Sequence, residues 1–146
     1  MIAVVSRVTE GVLKVDGNII SEIGRGLIAY IGVEKDDDIN DVRKMSYKLI
    51  NERIFEDENG KMNLSVKDKN YEILAVSNFT VTSDTKKGLR PDFYNAAKPD
   101  DAVKLYDEVC RLTESEGLIV KKGIFGADMK ISSVADGPVN IIISTK

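Results

Sequence analysis

The sequence contains no histidine and no tryptophan, and it has only one cysteine and three prolines among its 146 residues. Without an imidazole, neither a Ser-His-Asp or Cys-His catalytic arrangement nor a histidine-ligated metal site can form. A single cysteine, Cys110, excludes an internal disulfide and a cysteine-cluster metal site. Any chemistry must come from hydroxyls, carboxylates, amines, amides or the backbone, and we expect neither a cofactor nor a metal ion.

Long hydrophobic runs are missing as well. No run approaches the roughly 20 apolar residues that a membrane-spanning helix requires, so we expect no membrane partner. The first residues, 1–7, lack the basic start followed by an apolar stretch of about 7–15 residues that marks a signal peptide. These absences favour a cytoplasmic protein.

The chain has slightly fewer basic residues than acidic ones. Lysine and arginine number 21 against 24 acidic residues, which gives a net charge of -3 and an isoelectric point near 5.1. Nucleic-acid binders depend on many lysine and arginine contacts to phosphates, so we expect neither general nucleic-acid binding nor a DNA partner. A localised contact with one end of an RNA is compatible with this charge.

The apolar content is sufficient for one core. With 42% hydrophobic and 31% charged residues, the chain has the composition of one globular domain covering residues 1–146. β-Branched and alternating stretches predict strands, and Asp16-Gly17-Asn18 predicts a hairpin turn between two of them. The predicted strands cover residues 2–9, 12–15, 19–23, 27–33, 62–66, 72–82, 118–122, 129–134 and 139–144.

Two helices are predicted between these strands. The first follows Asp36-Asp37-Asp38 and has apolar residues every three or four positions over residues 39–50. The second begins at Pro99 and ends at Gly117, and its inner face includes Cys110, which we interpret as a packing residue. The predicted fold class is α+β, an antiparallel sheet with two principal helices.

Three segments contain residue types suited to chemistry. Residues 75–83 combine strand propensity with successive hydroxyls and an amide, and Asp136-Gly137-Pro138-Val139 places a proline at the mouth of a strand. In residues 123–129, two glycines and Ala127 allow the backbone to approach a ligand closely, beside Phe125. Taken singly, each segment also has a purely structural interpretation. Residues 75–83 would be a half-exposed strand, residues 136–139 a β-turn, and residues 123–129 a turn whose Phe125 packs into the core.

Seven short motifs follow one another along the chain. They are Arg7-Val8-Thr9, Gly32-Val33-Glu34-Lys35-Asp36-Asp37, Arg53-Ile54-Phe55, Gly60-Lys61-Met62-Asn63-Leu64, Ser77-Asn78-Phe79-Thr80-Val81, Gly88-Leu89-Arg90-Pro91 and Asp136-Gly137-Pro138-Val139. Their order and spacing resemble those of the D-aminoacyl-tRNA deacylases, essentially from end to end and without a large gap.

The resemblance implies a compact, barrel-like, β-rich fold that assembles as a homodimer. It implies an enzyme that hydrolyses the ester between a D-amino acid and the terminal adenosine of tRNA, and that also removes mischarged glycine. The partner would be the acceptor end of an aminoacyl-tRNA, and the role would be chiral proofreading in translation.

The resemblance also implies roles for individual residues. Gly137 and Pro138 would form a cis peptide that reaches into the partner subunit's pocket, where their carbonyls face the substrate's amino group and leave no room for an L side chain. Arg7 would hold this loop. The implied catalytic residues are Ser77, Asn78, Phe79 and Thr80, and Phe125 and Ala127 join Gly137, Pro138 and Arg7 in substrate binding and chiral selection.

The missing histidine is consistent with this chemistry, because an aminoacyl ester is already activated and modest electrostatic help at its carbonyl can suffice. Backbone N–H groups around Phe79 and Thr80 would supply an oxyanion hole, and the neighbouring ribose hydroxyl would assist proton transfer. The alternative gives the Thr80 hydroxyl the role of nucleophile, although no adjacent base is evident in the sequence.

Basic residues cluster in the polar loop over residues 83–98, and long ordered loops are often functional. Lys86, Lys87 and Arg90 are interpreted either as a solvated loop or as weak contacts to acceptor-stem phosphates.

Some positions depart from the family's pattern. Asn78 stands where glutamine is usual, Asn140 where threonine is usual, and Ala135 where asparagine is common. These departures leave open a second function, a tRNA-end binding module that has lost activity. A third is a dimeric structural protein that uses its apolar strands for assembly.

Overall fold

The computed structural model describes residues 1–146, and the long first strand β1 organises its main sheet. β1 pairs antiparallel with β2, β3 and β8, and the sheet continues from β3 to β6 and then to β7. The sheet is nearly closed and barrel-like, and β4 and β5 form a separate hairpin. The strands are β1 (Ile2–Val15), β2 (Asn18–Ile23), β3 (Gly26–Gly32), β4 (Phe55–Glu56), β5 (Met62–Leu64), β6 (Glu72–Ser77), β7 (Val120–Lys122) and β8 (Lys130–Ser144).

Both principal helices are confirmed. The first begins after Asp38, whose side chain accepts hydrogen bonds from the free backbone N–H groups of the first turn. The second has Pro99 in its first turn, where the missing N–H costs nothing. The helices are α1 (Ile39–Asn51), α2 (Val66–Lys69) and α3 (Pro99–Ser115), with one 3-10 helix (Phe79–Thr82).

The prediction of an antiparallel sheet is wrong in part. β3 and β6 pair in parallel, and so do β6 and β7. Parallel neighbours require a crossover connection, and α1 and α3 lie within the two connections concerned. The sheet is therefore mixed, and periodicity along the chain does not reveal this because it carries no information on pairing direction.

Strand boundaries differ from the predicted ones in three places. The predicted strands 2–9 and 12–15 are one continuous strand, and β8 likewise runs through Gly137 and Pro138, whose peptide bond is cis. The predicted strand 72–82 ends at Ser77, because the chain turns there into the 3-10 helix. The hairpin turn is confirmed, with Asp16 and Gly17 both at positive φ.

The main core lies between the sheet and the helices α1 and α3. Val42, Met45 and Leu49 of α1 and Val109 of α3 are buried in it. Cys110 is buried on the same face, and burial raises the pKa of its thiol to about 11. The thiol therefore stays protonated at neutral pH, as expected of a packing residue.

None of the helices combines the length and the apolar character that crossing a membrane would require.

Candidate active site

A pocket of about 830 Å³ lies where the end of β6, the start of α3 and the segment before β8 come together. This volume suits a small organic ligand, and most of the lining side chains are apolar. Five residues that the sequence singles out line the pocket, namely Ser77, Asn78, Phe79, Phe125 and Ala127.

The floor of the pocket is the turn that follows β6. Asn78 closes this turn, because its side-chain oxygen accepts from the Thr80 N–H at 3.0 Å and from the Thr80 hydroxyl at 2.6 Å. The Asn78 N–H donates to the carbonyl of Ile31 at 2.9 Å. The turn is therefore tied to β3 as well as to β6.

The two backbone donors expected for an oxyanion hole differ in availability. The N–H of Phe79 has no protein acceptor, as is usual at the start of a helix, whereas the N–H of Thr80 is already bonded to Asn78. The Thr80 hydroxyl donates to an amide oxygen, which is not a base. The Phe79 N–H is thus free to donate to another group, and the arrangement provides no group that would activate Thr80.

An aromatic pair stands at the pocket. Phe79 and Phe93 pack edge to face with ring centroids 5.0 Å apart, and 57% of Phe79 is exposed. Phe93 belongs to the long loop and was not singled out by the sequence analysis, although an aromatic residue in a polar loop is a signal that could have identified it. The pair offers an apolar surface on which a planar ring can pack.

The inner wall is held by a buried tyrosine. The Tyr106 hydroxyl donates to the carbonyl of Ala75 at 2.9 Å, and its ring lies 6.3 Å from that of Phe125. Tyr30 also lines the pocket, and burial raises the pKa of its hydroxyl. Phe125 therefore lies against the ring of Tyr106, which is itself hydrogen-bonded to β6.

Gly32 positions the floor of the pocket, and the sequence analysis did not single out this role. It is buried at the end of β3, where a Cβ atom would lie 2.5 Å from Val81 and 2.7 Å from Thr82. The 3-10 helix therefore packs directly on the backbone of β3. Only a residue without a side chain permits this approach.

The Gly137-Pro138 loop lies elsewhere. Both residues are exposed, and neither they nor Arg7 line the pocket of their own chain. Arg7 is buried and donates to the carbonyl of Asp136 at 3.1 Å and to that of Ile54 at 2.7 Å. The guanidinium thus ties the residue before Gly137 to the rest of the chain.

Three further positions lie outside the pocket. Asn140 is on β8 and accepts a hydrogen bond from Ser6 of β1 at 2.6 Å, so its departure from the family's pattern affects strand pairing. Ala135 is exposed on the same strand. The basic cluster is exposed in a loop closed by backbone bonds between Asp84 and Asp92, and its residues Lys86, Lys87 and Arg90 line no part of the pocket.

Comparison with known proteins identifies the family. Residues 4–144 match the model of the family described as D-Tyr-tRNA(Tyr) deacylase. The chain belongs to the D-aminoacyl-tRNA deacylase family. A D-aminoacyl-tRNA deacylase of a Thermoanaerobacter species is 47% identical, with 100% of this chain and 98% of that protein covered. The deacylase of Flavobacterium psychrophilum is 48% identical over 100% of this chain and 98% of its own length.

Two solved structures share the fold of this chain. A protein named c-Myc DNA Unwinding Element Binding Protein superposes with a TM-score of 0.94 at 39% identity, covering 100% of this chain and 99% of that one. A probable eukaryotic D-amino acid tRNA deacylase shares the fold, with a TM-score of 0.83 at 18% identity over 97% of both chains. The family match and the curated relatives make this chain a hydrolase, as the resemblance implied.

Proposed function

We propose that this deacylase works as a chiral proofreading enzyme in the cytoplasm, as a homodimer in which each pocket is completed by the partner subunit. It cleaves the ester of D-aminoacyl-tRNA and of mischarged glycyl-tRNA. The Gly137-Pro138 loop of the partner rejects L-aminoacyl esters by leaving no space for an L side chain.

The observation that carries the proposal is the unpaired N–H of Phe79 on the floor of an apolar pocket, in a chain without histidine. An N–H placed at the ester carbonyl stabilises the negative charge that develops there when water attacks. The acyl–oxygen bond to the ribose then breaks, and the neighbouring ribose hydroxyl assists the proton transfer. Asn78 is a positioning residue in this scheme, because it holds the turn that presents the Phe79 N–H.

Two features support a site shared between subunits. The Gly137-Pro138 loop is exposed and absent from the pocket of its own chain, so it is free to enter another. β8 pairs only with β1, and its exposed face includes the apolar Val134 and Ile142, at 49% and 73% exposure. An unpaired edge with exposed apolar side chains favours association with a second copy.

The nucleic-acid partner in this proposal is the acceptor end of tRNA. One structural relative is named for a DNA element. In this chain the pocket has room for one aminoacyl nucleoside, which points to the end of a strand as its ligand.

The first test compares three esters under identical conditions: D-tyrosyl-tRNA, L-tyrosyl-tRNA and glycyl-tRNA. We expect rapid release of D-tyrosine and of glycine, with L-tyrosine released no faster than in the absence of enzyme. The physical reason is that only an L side chain points toward the partner's loop.

Spontaneous ester hydrolysis without enzyme is the control for all three substrates. Saturable binding of tRNA with no release of D-tyrosine would contradict the proposal and favour the inactive binding module. Equal release of the D and L amino acids would leave hydrolysis intact but remove the role proposed for the loop.

A complementation experiment tests the loop in trans. Gly137→Ala should impair the loop, because φ is +124° there and a Cβ would lie 2.9 Å from Val139 and 3.2 Å from Arg7. Gly32→Ala should impair the pocket instead. If subunits share sites, co-expression of the two variants should restore activity, because a mixed dimer has one pocket with an intact floor and an intact loop.

Each variant expressed alone serves as the control for this experiment. No gain of activity in a mixture shown to contain mixed dimers would indicate that loop and pocket act within one chain.

A further inference from the structure

A second cavity, of about 410 Å³, adjoins the active-site pocket. The two cavities share Ala97 and Lys98 in their walls, so a ligand that extends out of the pocket past Lys98 enters the second cavity. We call this second cavity the charged groove. It is lined by Glu34, Lys35, Asp37, Ala97, Lys98, Asp101, Lys104 and Leu105.

Two of the groove's carboxylates are already paired within the protein. A Glu34 oxygen lies 3.2 Å from the ammonium group of Met1. Asp37 contacts the same ammonium and lies 3.0 Å from Nζ of Lys146. The Met1 ammonium and Lys146, which also pairs with Asp41, therefore offset much of the negative charge of Glu34 and Asp37 without lining the groove.

The lysines of the groove are not compensated in this way. Neither Lys35 nor Lys98 takes part in any ion pair of the structure. Lys104 has one carboxylate partner, the exposed Asp101, at the long distance of 3.9 Å. An exposed pair at this distance leaves most of the lysine's charge available to another anion.

The Lys35 side chain is also held in place, and the backbone beside Lys98 is tied to the same segment. The Lys35 ammonium sits 3.7 Å from the centre of the Tyr94 ring, a contact that orients the charge without neutralising it. The Lys35 N–H donates to Asn95 at 2.9 Å, and the Ala97 N–H donates to Val33 at 2.9 Å. These bonds join the segment before Lys98 to the segment that carries Lys35.

We propose that Lys35, Lys98 and Lys104 bind the phosphodiester backbone of the single-stranded 3′ end of tRNA, directly beyond the terminal adenosine. The inference rests on the proposed function. When the aminoacyl ester lies in the pocket, the strand attached to the 5′ phosphate of its nucleoside must extend out of the pocket through a neighbouring opening. Lysine contacts to phosphates hold a strand without reading its sequence. The groove therefore supplies affinity for the tRNA body and takes no part in bond cleavage.

The test compares two substrates that carry the same ester: D-tyrosyl-tRNA and D-tyrosyl-adenosine, which has no phosphate. The groove variant combines Lys35→Gln and Lys104→Gln, the two lysines that line the groove without lining the active-site pocket, and it keeps most of each aliphatic stem. For this variant we expect KM for D-tyrosyl-tRNA to rise about tenfold or more, with kcat unchanged. Both constants for D-tyrosyl-adenosine should match those of the unmodified enzyme, which also shows that the variant is folded.

Salt dependence gives a second readout. Each lost phosphate contact on a single strand should reduce the slope of log kcat/KM against log salt concentration by about 0.7, so the groove variant should lose about 1.4 units of slope. The matched control replaces two exposed lysines that make no ion pair, Lys14 and Lys61, and should behave like the unmodified enzyme.

Four results would overturn the inference. Three concern the groove variant: an unchanged KM and salt slope for D-tyrosyl-tRNA, an equal loss of kcat/KM on both substrates, and a rise in KM that the control variant matches. The fourth is a rise in KM for Lys86→Gln and Lys87→Gln without one for the groove variant, which would move the phosphate contacts to the loop. An unmodified enzyme that cleaves neither ester would refute the proposed function itself, and this inference with it.

Discussion

Replacing Gly32 with alanine is expected to lower kcat/KM for D-tyrosyl-tRNA about a hundredfold, the effect of misplacing a reacting group by about 1 Å. The added Cβ would lie 2.5 Å from a Val81 methyl, 2.7 Å from a Thr82 methyl and 3.1 Å from the Asn78 carbonyl oxygen. All three atoms belong to the turn and the 3-10 helix that present the Phe79 N–H.

β3, which carries Gly32, and the 3-10 helix packed against it differ in how easily they can move. β3 is paired along its length with β1 on one side and β6 on the other, so it cannot retreat without breaking two ladders. The 3-10 helix is one turn long, and Val81 is only partly buried. We therefore expect the helix to shift, which carries the donor N–H away from the ester carbonyl.

The measurement is kcat/KM together with a thermal unfolding curve. Gly24→Ala is the matched control, because a Cβ there meets only a Glu72 carboxylate oxygen at 3.7 Å, an ordinary contact. Activity of Gly32→Ala close to that of the control would show that the position of the 3-10 helix does not limit catalysis. A loss explained entirely by unfolding would contradict the prediction too.

Replacing Gly26 with alanine is expected to destabilise the protein by more than about 4 kcal/mol, a size reached only when a substitution breaks the backbone or core arrangement. Its Cβ would overlap the carbonyl oxygen of Glu72 and would lie 2.8 Å from that residue's carbonyl carbon. Gly26 and Glu72 are paired residues at the first position of the parallel β3–β6 ladder. Backbone cannot yield as a flexible side chain can, so the two strands must separate there.

Urea denaturation followed by circular dichroism measures this effect as a fall in the midpoint concentration. Gly24→Ala again provides the control, since it lies two residues away in the same turn and its Cβ would make only the ordinary contact with the Glu72 carboxylate. Midpoints that agree for the two variants would show that the parallel pairing at Gly26 tolerates a side chain.

Much of the secondary structure could be predicted from local pattern. The apolar spacing of α1, the proline that begins α3 and the glycine turn between β1 and β2 are properties of neighbouring residues, and the structure confirms each of them. The parallel pairing of β6 could not be predicted in the same way. It depends on the two crossover connections, which bring residues far apart in sequence side by side.

The candidate site was predictable to a similar extent. The segment Ser77-Asn78-Phe79 was identified by its unusual polar residues and by resemblance, and it lines the pocket. The strand prediction is right up to Ser77 and wrong beyond it, because Asn78 bonds to Thr80 and thereby starts a helix. The contribution of Gly32 depends on long-range packing, which no local pattern encodes, whereas Phe93 could have been noticed as an aromatic residue in a polar loop.

Local sequence determined which chemistry is available to this protein and which segments carry it. The sequence shows directly that histidine is absent. It also shows the amide and the hydroxyls that follow β6, and the Gly137-Pro138 pair. Tertiary structure decided which of these groups meet: it packed the 3-10 helix against Gly32, brought Phe93 to Phe79 and kept the loop away from its own pocket. The physical reason is that these packing contacts form only when distant segments come together, whereas residue chemistry, turn preference and the bond from Thr80 to Asn78 are local.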